Sequence, residues 1–119
     1  MDWGNNMIFN ISLVKDKTKK NRERILQKRI KKYQRELTSF IKSAMREGET
    51  WIGFSIQKAD NLAFDAIKHI LHKLHNVGYV INGKVNGTYY YECSDMLTLK
   101  TEDRKYTIDI KISWSEKEN

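Results

Sequence analysis

Three histidines spaced three residues apart are the first residues in this chain that could do chemistry. His69, His72 and His75 lie where apolar residues repeat with helical spacing, and imidazole nitrogens are common zinc ligands. On an α-helix each step of three residues falls about 60° short of a full turn, so the three rings cannot all converge on one ion. Asp65 and His69, four residues apart, supply two ligands at most. We therefore expect no metal site within one chain and no cofactor, although two chains could pool their ligands.

Nucleophiles occur without the partners that catalysis needs. Cys93 has no neighbouring motif, Ser94 is not in a nucleophile elbow, and Asp95 has the setting of a turn residue. Gly83 and Gly87 fit hairpins and not a phosphate-binding loop followed by a helix. The sequence therefore predicts a protein that is not an enzyme.

Positive charge is concentrated in residues 15–46. This segment holds 13 of the 22 Lys and Arg residues and three of the 15 acids, a net charge of +10, whereas the rest of the chain sums to −3. A solvated helix face would explain such a run, but few of its bases have an acid four residues away, so their repulsion is not compensated internally. We therefore predict an anionic partner, either a nucleotide or nucleic acid or an acidic protein surface. The first candidates for ligand contact are Lys28, Arg29, Lys32 and Arg35.

Three consecutive tyrosines are the second group of candidate ligand contacts. Tyr89, Tyr90 and Tyr91 fall in a predicted strand, where successive side chains alternate between faces, so at least one ring faces away from the others. An exposed ring could stack on a nucleic-acid base or a nucleotide. The alternative is cross-strand packing against other aromatic residues such as Trp51 or Tyr106.

The spacing of apolar residues predicts the elements that position these groups. A stripe at intervals of three and four residues predicts a long basic helix that begins at a Thr18 cap and ends before Gly48, and a second helix begins at Asp60 or Asn61. The predicted strands span residues 7–14, 51–56, 79–85, 88–93, 96–100 and 105–114. The order β-α-β-α-β-β-β-β describes an α+β fold in which two helices pack on a mostly antiparallel sheet.

The length of 119 residues suits a single domain, which we place at residues 1–114, with a disordered tail at 115–119. A helix of about 30 residues would be about 45 Å long, more than a compact domain of this size can cover, and its apolar stripe starts only at Ile25. Residues 15–24 are therefore predicted to form a projecting basic arm or a frayed turn. The near-heptad spacing of the stripe is compatible with a homo-oligomer formed through the first helix.

The single cysteine and the absence of a long apolar run bear on location. Cys93 alone excludes an internal disulfide and is compatible with a reducing compartment. No stretch approaches the ~20 apolar residues that cross a bilayer, and the N-terminus has no targeting pattern. We expect a cytoplasmic protein with no membrane partner.

The stretch "IKSAMREGETWIGFSI", the later "LHKLHNVGYVI" and the closing "IDIKISW" form a recognisable pattern of helix, strand, helix and terminal strand. This pattern resembles a class of small bacteriophage-encoded accessory proteins of mostly unassigned function, over residues 41–114. The resemblance implies a short protein that works by binding, as phage inhibitors of host enzymes, anti-CRISPR proteins and sponges for immune nucleotide signals do. It implies no particular functional residues, and it would place the protein in the host-cell cytoplasm.

Two functional hypotheses follow. The first is a non-enzymatic phage-type accessory protein that inhibits or sequesters a host or defence component, such as an immune effector, a nucleotide signal or a nucleic acid, by binding a phosphate-rich or acidic ligand. The alternative is a general DNA- or RNA-binding protein that acts through the basic helix, with an affinity that falls steeply as salt increases.

Overall fold

The computed structural model of the protein describes residues 10–86 and 105–114 and the backbone of residues 88–90. In chain order the elements are α1 (Ile11–Arg46), β1 (Trp51–Ala59), α2 (Asn61–Asn76), β2 (Val80–Val85), β3 (Thr88–Tyr90) and β4 (Tyr106–Ser113). The predicted α+β class, with two helices on an antiparallel sheet, is confirmed. The strand order along the chain differs, because the described part of the chain begins with α1 and has no strand before it. The strand predicted at 96–100 lies outside the described residues.

The start of α1 corrects two predictions. Residues 11–14, predicted as the end of a strand, form the first turn of the helix, and the rest of that predicted strand lies outside the described residues. Asn10 is the N-cap, with an extended backbone and a side-chain oxygen that accepts a hydrogen bond from the backbone N–H of Leu13 at 3.1 Å. Thr18, predicted as the cap, lies inside the helix and donates its hydroxyl to the carbonyl of Val14 at 2.8 Å. This short apolar run fits both periods and is helical here, with Asn10 satisfying one of the N–H groups that a helix start leaves free.

Both helices end in the same way, with a glycine in the left-handed region. Gly48 has φ +78°, and the N–H groups of Gly48 and Glu49 donate to the carbonyls of Met45 and Ala44. Gly78 has φ +109° and, with Tyr79, closes α2 by the same pair of hydrogen bonds. These bonds satisfy carbonyls that a helix end leaves free, and the helix end predicted before Gly48 is confirmed.

The sheet places the last strand at its centre. The strand order is β1-β4-β2-β3, and every described pair of neighbours is antiparallel. Ile112 of β4 lies opposite Ile52 of β1 and Ile81 of β2, and all three side chains are at most 7% exposed. Alternate residues of the strands therefore form one buried face of the sheet.

The two helices cover this buried face. The core combines the isoleucines of the sheet with Phe64, Ile67 and Leu71 of α2 and with Ile30 and Leu37 of α1. α1 and α2 run side by side in the same direction, because Arg29 of α1 contacts Asp60 before α2, and Leu37 lies near Ile70. The molecule measures 66 × 28 × 24 Å, since α1 extends well beyond the body. Residues 15–24, predicted as an arm or a frayed turn, are helical and exposed.

Candidate anion-binding groove

The four predicted basic contacts do not form one site. Lys28 is fully on the exposed side of α1, and the Lys32 ammonium lies 6.0 Å from the centre of the Tyr33 ring. Arg35 lines an open groove described below. Arg29 is directed elsewhere, because its guanidinium donates to the carboxylate of Asp60. Of the four predicted contacts, two are exposed lysines, one lines the open groove, and one forms an ion pair within the chain.

The Arg29–Asp60 pair fixes α1 against the start of α2. Asp60 also accepts a hydrogen bond from the backbone N–H of Ala63 at 2.8 Å, which makes it the N-cap of α2 as the sequence predicted. The hydrogen bond from Arg29 holds the pKa of Asp60 below its ordinary value, against the opposing effect of partial burial, and the same bond raises the pKa of Arg29. Arg29 thus has a structural partner within the chain.

The remaining residues that the sequence analysis singled out are the three tyrosines and the three histidines. Tyr89 and Tyr90 pair through their backbones with Lys84 and Gly83, and Tyr91 lies outside the described residues. The row of histidines at 69, 72 and 75 is exposed along α2. Among the residues that the structure describes, no group of three His, Cys, Asp or Glu side chains could hold a metal ion.

A large concave surface in the described part of the chain lies between the C-terminal half of α1 and the last turns of α2. We call it the basic groove. It is open to solvent and has a volume of about 800 Å³. Its rim carries five bases, and its floor carries four aliphatic side chains. The rim residues are Lys31, Arg35, Lys42 and Arg46 of α1 and Lys73 of α2. The floor residues are Leu37 and Ile41 of α1 and Ile70 and Leu74 of α2.

Helical spacing builds the basic groove. The floor residues are four apart on each helix, so each pair lies on one face and the two faces meet where the helices pack. The rim bases of α1 form two further pairs at i and i+4, on the side of the helix that adjoins the buried stripe. Leu37 and Ile70 are 2% and 4% exposed, so the floor continues directly into the hydrophobic core.

No carboxylate among the described residues balances the rim. None of the twelve residues that line the basic groove is acidic, and none of its five bases forms an ion pair with a residue that the structure describes. The carbonyls of Leu74 and His75 at the end of α2 accept hydrogen bonds from Tyr79 and Gly78, which limits the negative potential that a free helix end would add. Positively charged side chains around a concave apolar floor concentrate positive potential there. The basic groove is therefore suited to an anion that also has an apolar side.

The polar groups of the basic groove can bind a ligand through charge and hydrogen bonds. Besides the bases, its lining contains Gln34, Thr38 and Ser39, which can donate or accept hydrogen bonds. No histidine, cysteine or carboxylate belongs to this lining.

A second, smaller hollow of about 390 Å³ lies further toward the N-terminus of α1. Lys15, Lys19 and Arg22 line it together with Glu23 and Asp65. Because two carboxylates lie among its three bases, this hollow attracts an anion less than the basic groove does.

Sequence reasoning missed most of the rim. Of the predicted basic contacts only Arg35 belongs to the rim, and the rim bases that were not predicted are Lys31, Lys42, Arg46 and Lys73. The sequence does contain one signal for this site: the i, i+4 pairs 31/35 and 42/46 adjoin the apolar stripe of α1. The contribution of Lys73 depends on how α2 packs against α1, which no local spacing reveals.

Comparison of the chain with protein-family models, with curated proteins and with solved structures found no match. Neither described helix has a stretch long and apolar enough to cross a membrane.

Proposed function

We propose that this protein is a non-enzymatic binding protein that holds an anionic ligand, phosphate-rich or acidic, in the basic groove. The observation that supports this proposal is the rim of five bases without an acid around an apolar floor. Five cations held near one another, with no ion-pair partner in the described part of the chain, repel each other, and an anion relieves that repulsion. The ligand thus gains electrostatic attraction and buries apolar surface in the same place.

The resemblance of residues 41–114 to small phage proteins supports a role for this binding. In that role the protein is a phage-type accessory protein in the host-cell cytoplasm, and it inhibits or sequesters a host or defence component. Capture of an immune effector, a nucleotide signal or a nucleic acid needs affinity and no turnover.

A matched pair of triple variants tests the site. R35E/K42E/R46E reverses three charges of the rim, and K17E/K28E/K32E makes the same change in net charge on α1 at positions that do not line the basic groove. Suitable probes are fluorescein-labelled oligothymidylate and oligoglutamate of equal charge, followed by fluorescence anisotropy. We expect the rim variant to weaken binding of the tighter probe about 30-fold or more, since three attractions of roughly 0.5 to 1 kcal/mol each become repulsions.

The control variant is expected to weaken that binding less than about threefold, because charges remote from the ligand are screened over roughly 10 Å. Circular dichroism and thermal melting verify that both variants fold. Equal losses in the two variants would show that the ligand responds to net charge and not to the basic groove. If the unmodified protein binds neither probe, the proposal is wrong.

The second candidate is a general DNA- or RNA-binding protein that uses the exposed face of α1. The observation that favours it is the length of α1, 36 residues, with bases such as Lys17, Lys28 and Lys32 exposed along it. This candidate predicts that the control triple variant loses as much affinity as the rim variant. It also predicts a loss of several powers of ten in affinity for duplex DNA between about 50 and 200 mM salt.

A further inference from the structure

We infer that the occupant of the basic groove is an acidic amphipathic α-helix of a partner protein. This inference rests on the proposed function, and it names the class of ligand. It follows from the shape of the basic groove, the chemistry of its floor and the distribution of charge in the chain itself.

The basic groove is long enough to hold an α-helix of a partner protein. Its rim on α1 runs from Lys31 to Arg46, which at 1.5 Å per residue corresponds to about 22 Å, or four turns of a partner helix. Its floor lies between two helices that run side by side, the arrangement in which an amphipathic third helix can place its apolar side chains into the space between them. An open groove of about 800 Å³ accommodates such side chains without displacing the core.

The floor favours aliphatic side chains over nucleotide bases. All four floor residues are Leu or Ile, and no aromatic residue belongs to the lining. Proteins that hold single-stranded nucleic acid usually stack its bases on aromatic side chains, which this lining does not offer. Leucine or isoleucine side chains of a partner would instead bury apolar surface against Ile41 and Leu74, which are only partly covered in the free protein.

The rim specifies the charge of the partner helix. Arg35, Lys42 and Arg46 stand at i, i+7 and i+11, a spacing that keeps them on one side of α1. Acidic residues at a similar helical spacing on the partner would face all three, with Lys73 across the floor facing acids on its other side. The partner is therefore acidic on both flanks of its apolar stripe.

A second copy of this chain does not meet that requirement with its described helices. α1 includes all of residues 15–46, which carry a net charge of +10, and α2 contains one Asp and two Lys residues. Either helix would bring more positive charge to a rim that is already positive. Charge complementarity thus favours a different protein over self-association at this surface.

Two synthetic peptides with the same composition provide the test. Each has about 16 residues, long enough for the rim, with leucines and glutamates. In the first, the leucines form one stripe when helical; in the second, the same leucines are distributed around the helix. Oligothymidylate of equal charge is the third probe. Binding is followed by fluorescence anisotropy and peptide helicity by circular dichroism.

We expect the amphipathic peptide to bind at least about tenfold more tightly than its isomer and to become helical on binding. Ile41→Gln should reduce that preference to about threefold or less, because the substitution makes the floor polar and leaves every charge in place. If Ile41→Gln proves unstable, Leu74→Gln tests the floor from the side of α2. The comparison of the two peptides on the unmodified protein needs no variant.

Equal affinity for the two peptides would overturn the inference while leaving the basic groove as a simple anion site. Tighter binding of oligothymidylate than of the amphipathic peptide would also overturn it, in favour of nucleic acid. If none of the three probes binds, the proposed function itself fails.

Discussion

Replacement of Asp60 by alanine should remove two stabilising interactions at once. The Asp60 carboxylate caps α2 by accepting from the N–H of Ala63, and it accepts a hydrogen bond from the Arg29 guanidinium on α1. Asp60→Asn removes the charge and keeps a residue that caps equally well. Arg29→Met removes the other member of the pair and keeps much of its aliphatic stem.

The expected magnitudes follow from exposure and from the two roles of Asp60. The side chains of Arg29 and Asp60 are 33% and 36% exposed, so solvent screens their attraction and the pair should contribute no more than about 1 kcal/mol. The cap contributes about 1 kcal/mol. We therefore expect a decrease in the free energy of unfolding of about 1.5 to 2 kcal/mol for Asp60→Ala, and of about 0.5 to 1 kcal/mol for Asp60→Asn or Arg29→Met.

The contribution of the pair should depend on pH in one direction. Because the folded-state pKa of Asp60 lies below its value in the unfolded chain, the stabilisation is complete above the unfolded pKa and is lost as the pH falls through the folded pKa. The difference in stability between the unmodified protein and Asp60→Asn should thus be constant from about pH 7 to 5 and decrease below about pH 4.

Urea unfolding at 25 °C, followed by circular dichroism over this pH range, measures these differences. The double variant R29M/D60N should lose about as much as either single variant, because both changes break the same pair. A double variant whose loss equals the sum of the single losses at pH 7 would refute this account of the pair. So would a difference that grows as the pH falls below 4.

Three further predictions concern the fold. Phe64 is 1% exposed and its ring centre lies 4.7 Å from that of Tyr106, so Phe64→Ala should cost about 3 to 5 kcal/mol in urea unfolding; a cost below about 1 kcal/mol would contradict its place in the core. Gly78→Ala should destabilise by about 1 to 2 kcal/mol and lower the Tm, from backbone strain alone, because no atom would lie within 4 Å of the added Cβ; an unchanged Tm would contradict the left-handed backbone. Asn10→Ala should lower the helicity of α1 and cost about 1 kcal/mol, whereas Thr18→Ala should change little, and the reverse result in far-UV circular dichroism would restore Thr18 as the cap.

The sequence predicted the long periodic elements well because their patterns cover many residues. α2 and β4 each contain an apolar face that fits one period, and the glycines at 48 and 78 mark helix ends in the way their backbone angles require. The first turn of α1 was assigned wrongly because a run of four residues fits both periods, and Asn10 was not recognised as a cap. The central position of β4 could not be predicted, since strand order depends on contacts between distant parts of the chain.

The positive charge of the candidate site could be predicted from the sequence, but most of the residues that form it could not. The excess of bases in residues 15–46 indicated an anionic partner, and Arg35 was chosen among the contacts. The other rim bases were not predicted because a rim forms where charged residues adjoin a packed apolar face, and local charge density does not report that position; they are Lys31, Lys42, Arg46 and Lys73. The sequence does not reveal that Arg29 is paired, because its partner Asp60 is 31 residues away.

Titration of the ¹⁵N-labelled protein with the amphipathic acidic peptide, and separately with oligothymidylate, tests the central claim most directly, because backbone amide shifts locate the bound anion. The proposed site predicts that the largest changes for at least one of the two fall in residues 34–42 and 70–74, which form the basic groove, and that residues near Lys17 and Lys28 change little. Changes distributed along residues 15–32 of α1 for both anions, with the amides of 70–74 unaffected, would contradict it.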